Sequence, residues 1–93
     1  MYEVFYQPEA AAELNDLRAF NRMRLLDAIA KNLKDSPATV RGKKKRLDLG
    51  DGNFIWQLRV DDYRVFYDVL EMEHRVIVRH IRRKGRKSTG EIL

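Results

Sequence analysis

From Phe54 onward the chain alternates side-chain character with a period of two, in three runs separated by short polar breaks. In FIWQLRV (54–60), Phe54, Trp56, Leu58 and Val60 fall on one face, while Ile55, Gln57 and Arg59 fall on the other. YRVFYDVL (63–70) repeats the pattern, setting Tyr63, Val65, Tyr67 and Val69 against Arg64, Phe66, Asp68 and Leu70; RVIVRHIR (75–82) is a third run of the same kind. Successive side chains of a strand point to opposite sides of a sheet, so this is the strand period. The breaks, Asp61-Asp62 and EMEH (71–74), are turns too short for a crossover helix, so the three strands form an antiparallel meander.

The rest of the fold precedes that meander. YEVFYQ (2–7) reads as a strand with Tyr2, Val4 and Tyr6 on one face and Phe5 on the other. Pro8 suits the first turn of a helix, where its missing N–H is not needed, and Glu9 suits the positive end of the helix dipole. Ala10, Leu14 and Leu17 then recur at helical spacing, the pattern weakens around Phe20-Asn21, and it resumes with Leu25 or Leu26, Ile29 and Leu33. Ser36-Pro37 stops the second helix, because a residue before proline disfavours helical backbone. Two helices joined by almost no loop form a helical hairpin. The expected architecture is α+β: an N-terminal strand, a two-helix hairpin, then a three-stranded antiparallel meander, with the helices packed on one face of the sheet. The 93 residues form a single domain, 1–93, with RGKKKR (41–46) as a basic loop and the polar stretch from about 85 to 93 as a flexible tail.

Charge is segregated along this framework. RGKKKR holds five cations and RHIRRKGRK (79–87) holds six, and neither contains an acidic residue. All fourteen acids lie elsewhere, among only eight cations, so a body of about −6 carries two segments that total +11. Segregation of this kind points to a polyanionic partner better than the net +5 does, since even mixing would give the same total. The chain has no cysteine, which removes disulfides, thiolate metal sites and a cysteine nucleophile. No apolar run reaches the ~18 residues of a membrane span, and MYEVFYQPEAAAEL lacks the basic start of a signal peptide. The expected location is the cytoplasm.

On the sheet face the helices leave open, Gln57, Arg59 and Arg64 point outward. The third strand ends at Arg82-Arg83-Lys84, while RGKKKR approaches from the other side, so the basic clusters meet in one shallow groove. Such a surface can cradle single-stranded RNA or stabilise a transferring phosphodiester by charge. The sequence shows no HExxH, phosphate-binding glycine loop or GxSxG, and no metal or cofactor is expected. His74 reads as a surface turn residue. His80 alternates with Val76 and Val78, which favours a packed ring over a proton shuttle, and Trp56 alternates with Phe54 and Leu58 as core.

WQLRVDDYRVFYDV, followed closely by RVIVRHIRR, resembles the RelE/ParE superfamily of bacterial toxins from type II toxin–antitoxin pairs. The resemblance covers nearly the whole chain and implies one of two activities. One branch cuts messenger RNA in the ribosomal A site without a metal, by attack of a ribose 2′-OH on the adjacent phosphate; the other poisons DNA gyrase through protein contacts. In both, a cognate antitoxin neutralises the toxin in a hetero-oligomeric complex. The cationic groove favours the ribosome and mRNA as partners, with gyrase inhibition or an inactive antitoxin-binding module as the alternatives. Carried over by motif, Arg64 matches the arginine of the YR pair that contacts the scissile phosphate, and Arg83 or Lys84 matches the strand-end cation. Arg59 matches the flanking arginine of the LR motif. Lys45 or Arg46 stands where some relatives keep a general-base carboxylate. The expected RNA-binding set is Lys43, Lys44, Lys45, Arg46, Arg59, Arg82, Arg86 and Lys87. Two departures leave the general acid and base unassigned: the tail has no aromatic residue, and Ile55 and Gln57 replace the lysines of the best-known nuclease. Lys84, Arg86 and His80 are the substitutes within reach.

Overall fold

The computed structural model describes residues 1–40 and 42–84. The expected flexible tail and the candidates Arg86 and Lys87 lie outside the described residues. Strand β1 (Glu3–Tyr6) leads into helices α1 (Pro8–Asn15) and α2 (Ala19–Leu33); strands β2 (Lys44–Gly50), β3 (Asn53–Val60), β4 (Tyr63–Leu70) and β5 (Arg75–Arg83) follow. The sheet order is β1-β5-β4-β3-β2, antiparallel throughout except for the β1–β5 pair, which is parallel. The fold is α+β, as the periodicities require. Among the described residues no helix is long and apolar enough to cross a membrane.

The sheet has one strand more than expected. RGKKKR is not a loop beyond Gly42-Lys43, because Lys44 to Gly50 pair antiparallel with β3, Lys44 opposite Leu58 and Leu47 opposite Ile55. A lysine-rich run has low strand propensity, but a sheet edge tolerates it, since outward lysines keep their charge in water and discourage further pairing. The connection to β3 is a two-residue turn at Asp51-Gly52, both at positive φ, as a type I′ turn demands. The helix break also falls earlier than the pattern suggests, at Asp16 to Arg18 rather than Phe20-Asn21. There Arg22 reaches back to donate to the carbonyls of Leu14 and Leu17 at 3.3 and 2.9 Å, satisfying the end of α1.

The core lies between the helices and one sheet face. Leu25, Ile29 and Leu33 of α2 and Ala10 and Leu14 of α1 pack against Trp56, Leu58, Val65, Tyr67, Val76 and Val78. Leu26, by contrast, is exposed, which settles the choice between Leu25 and Leu26. Tyr67 is fully buried and donates its hydroxyl to the Pro37 carbonyl at 2.7 Å, tying β4 to the segment after α2.

One irregularity decides what the other face presents. Tyr67 pairs with Val78 but Phe66 pairs with His80, so β5 carries an extra residue at Arg79. This bulge shifts the phase of the strand. Before it, Val76 and Val78 face the core; after it, Ile81 does, opposite Val65, and His80 and Arg82 go to the open face. The packed ring expected for His80 is therefore not found: its side chain is 39% exposed.

Candidate nucleic-acid interface

Residues paired across antiparallel strands share a face, so the register sorts the basic residues directly. One row on the open face holds Arg59, Arg64 and Arg82: Arg59 pairs with Arg64, and Arg64 with Arg82. Lys43 extends this row at the β2 side, where its carbonyl accepts the Arg59 N–H at 2.9 Å. The next row runs Lys45, Gln57, Phe66, His80. Lys43, Lys45, Gln57, Arg59 and Arg64 line a cleft of about 120 Å³. A wider groove of about 460 Å³ continues past Ile55, Asp68, Arg79 and His80.

The remaining candidates are placed elsewhere. Lys44 pairs with Leu58 and so lies on the helix side, where its ammonium donates to the carbonyls of Ser36 at 2.6 Å and Asn32 at 3.3 Å. Arg46 pairs with Trp56 on that same side; its guanidinium stacks over the Phe54 ring at 4.8 Å and approaches Asp48 at 3.8 Å. Arg83 pairs with Tyr63, also on the helix side. Lys84 follows the strand with an exposed side chain, its N–H held by the Asp62 carbonyl at 2.6 Å.

Two kinds of contact fix the row. Arg64 folds back so that Nη1 donates to the carbonyls of Tyr63 at 3.0 Å and Asp61 at 3.5 Å. Arg82 is held from α1: its Nη1 meets Glu13 Oε2 at 2.8 Å, and its Nη2 lies 3.3 Å from His80 Nδ1. Beyond the row, Arg79 pairs with Asp68 at 2.6 Å. Among the described residues no carboxylate lies within salt-bridge distance of Lys43, Lys45, Arg59 or Arg64. Four like charges gathered on one face with no acid in ion-pair reach repel one another, and an anion placed between them relieves that repulsion. No group of three or more His, Asp or Glu side chains among the described residues gathers into a metal-binding cluster.

Glu13 escaped the sequence reading because it joins the site through helix docking, which leaves no local pattern. The bulge did leave one: the core positions Val76, Val78 and Ile81 are spaced by two and then by three.

The fold defined by this arrangement is that of toxins from toxin–antitoxin pairs. The chain superimposes on the RelE–RelB complex of Pyrococcus horikoshii with a TM-score of 0.72, at 23% identity over 91% of this chain and 97% of that one. The RelBE2 toxin–antitoxin complex of Mycobacterium tuberculosis gives 0.74, at 18% identity over 89% and 98%. The YoeB/ParE toxin of Agrobacterium tumefaciens gives 0.69, at 21% identity over 89% and 99%. No curated protein sequence matches the chain. Residues 4–87 match the family model of the ParE toxin of type II toxin–antitoxin systems. The chain belongs to that family, within the RelE/ParE superfamily, and is a toxin of a type II toxin–antitoxin system.

Proposed function

We propose that the open sheet face is a phosphodiester site and that the toxin is a ribosome-dependent mRNA endoribonuclease. The observation that carries this reading is the registered row of Lys43, Arg59, Arg64 and Arg82 on the face opposite the helices. A message laid across it places its backbone against donors that only donate and stay charged. Attack of a 2′-oxygen on the adjacent phosphorus forms one P–O bond, breaks the bond to the 5′-oxygen, and leaves a cyclic phosphate and a 5′-OH. The pentavalent species between them carries extra negative charge, which Arg64 and Arg82 stabilise from two adjacent strands. Among the strand-end cations Arg82 is in register with Arg64, so it takes the role that sequence matching gave to Arg83 or Lys84. Lys84 stands at the end of the same strand, as a further phosphate contact. This reading puts the toxin in the cytoplasm with the ribosome and message as targets.

The cognate antitoxin is the second partner. RelE–RelB and RelBE2 are toxin–antitoxin complexes of the same fold, and an acidic antitoxin segment would neutralise the cations that the body leaves unpaired.

The test adds the purified toxin to a reconstituted translation reaction and maps new 5′ ends on the message. Ribosome-dependent cuts that vanish with Arg64→Ala are the expected result. A second reading, gyrase inhibition, draws on the ParE family match; a supercoiling assay in parallel separates the two, since arrested supercoiling without cuts would move the protein to that branch.

A further inference from the structure

Where β1 ends, β5 loses its backbone partner. Tyr6 pairs with Val78, and the Gln7 N–H still reaches the Val78 carbonyl at 2.9 Å, but Pro8 then turns the chain into α1. The upper part of β5, with the bulge, runs beside that helix instead. Glu13 replaces the missing strand: its Oε1 accepts the Ile81 N–H at 2.7 Å, and its Oε2 accepts from Arg82 at 2.8 Å. The carboxylate is only 23% exposed, which shields its bond to the Ile81 N–H, whereas the Arg82 side chain is 59% exposed.

We propose that Glu13 is a positioning residue for the strand-end half of the phosphate site. It fixes Arg82 and, through Arg82, the His80 ring, so that both present donors to the anion held by Arg64. The proposal rests on the reading of the open face as a phosphodiester site and adds the device that orders it.

The chemistry of the contacts defines what His80 does. A guanidinium has no acceptor, so a hydrogen bond across the 3.3 Å between Arg82 Nη2 and His80 Nδ1 requires the tautomer in which Nδ1 accepts. That tautomer carries its proton on Nε2 and offers a donor, not a base, to an incoming phosphate oxygen. Glu13 Oε2 lies 3.9 Å from the same Nδ1, too far to compete while Arg82 occupies it. His80, in the row next to Arg82, therefore acts as an anion-binding donor beside the cationic row.

Charge alone and positioning make opposite predictions for Glu13. Removing a carboxylate beside a cationic groove raises the local charge by one and should tighten RNA binding. Releasing Arg82 and His80 should slow the chemical step. Glu13→Gln separates these effects, because its amide oxygen can still accept the Ile81 N–H while its NH₂ cannot hold a guanidinium.

The experiment combines ribosome-dependent cleavage kinetics with ¹⁵N NMR of the His80 ring and the Arg82 guanidinium in the free toxin. The expected wild-type ring has its proton on Nε2. Glu13→Gln is expected to lower kcat ten-fold or more with KM unchanged or lower, to mix the His80 tautomers, and to speed exchange of the Arg82 protons. Combining it with Arg82→Ala should add nothing beyond Arg82→Ala alone, since one residue acts through the other. A wild-type ring protonated on Nδ1 overturns the proposal without any variant. So does an unchanged kcat, a loss in kcat with unchanged NMR signals, or losses that multiply in the double variant. If the wild type cuts no message, the nuclease reading fails by itself; the role of Glu13 is then decided by whether Glu13→Gln alters the two NMR signals.

Discussion

Arg64 and Arg82 stand directly opposite each other across β4 and β5, two arginines in register on the face the helices leave open. Like charges placed this way destabilise a sheet. Glu13 compensates one of them and backbone carbonyls hold the other. An arrangement that works against folding and faces outward is best explained by what it binds.

The pair gives the first prediction. Arg64→Ala and Arg82→Ala should each reduce ribosome-dependent cleavage by about 10²–10³-fold, the usual loss when one donor to a developing anion is removed. Stability should move by no more than about 0.5 kcal/mol, as for an ordinary surface substitution. Arg83→Ala, on the helix side, should cost less than ten-fold. Primer extension on the message and urea titration of each variant check both halves. Equal losses at positions 82 and 83 would mean that the register does not select the catalytic cation.

Neighbouring lysines give the second. Lys45 faces the open cleft, whereas Lys44 holds the carbonyls of Asn32 and Ser36. Lys45→Ala should flatten the log–log salt dependence of single-stranded RNA binding by about 0.7, the contribution of one phosphate contact, and leave stability unchanged. Lys44→Ala should do the reverse: an unchanged salt slope, and a loss of about 1–2 kcal/mol from two charge-assisted hydrogen bonds. Fluorescence anisotropy across salt concentrations, with urea titration alongside, separates them.

Two isoleucines of one strand test the bulge. Ile77 precedes it on the open face and Ile81 follows it in the core, opposite Val65. Ile81→Ala should cost about 2–4 kcal/mol, since it leaves a cavity, and Ile77→Ala well under half of that. With unbroken alternation through β5 the two positions would share a face and cost alike, so equal losses in urea titration would rule the bulge out.

That contrast also marks how far the residues speak for themselves. Period-two alternation identified β3, β4 and β5 because one apolar face of a sheet must be buried, and Pro8 placed the start of α1 for an equally local reason. β2 was hidden because its lysines lack strand propensity and it forms by pairing with Phe54 to Leu58. His80 was misplaced because one extra residue reverses every side chain beyond it. The meeting of Lys43, Lys45, Arg59 and Arg64 was legible once the strands were known, but Glu13 was not. Its part depends on α1 docking beside β5, a long-range contact that no spacing within α1 encodes.

Tyr67 supplies the last prediction. Its buried hydroxyl donates to the carbonyl of Pro37, itself fully buried, and burial pushes the phenol well above the ordinary tyrosine range. The folded state therefore holds this proton more tightly than the unfolded chain, whose tyrosines titrate near 10. The stabilisation is complete below that pH and is lost as pH rises towards the folded-state value, with a slope that approaches about 1.4 kcal/mol per pH unit. Burial raises Tyr6 too, so the wild type carries more than one such contribution. Tyr67→Phe should cost about 1–2 kcal/mol at neutral pH, because the Pro37 carbonyl loses its donor inside the core. Between about pH 10 and pH 11.5 its stability should fall less steeply than that of the wild type, so the gap between the two narrows. Urea titrations over that interval measure both slopes, and parallel curves would show that Tyr67 does not keep its proton in the folded state.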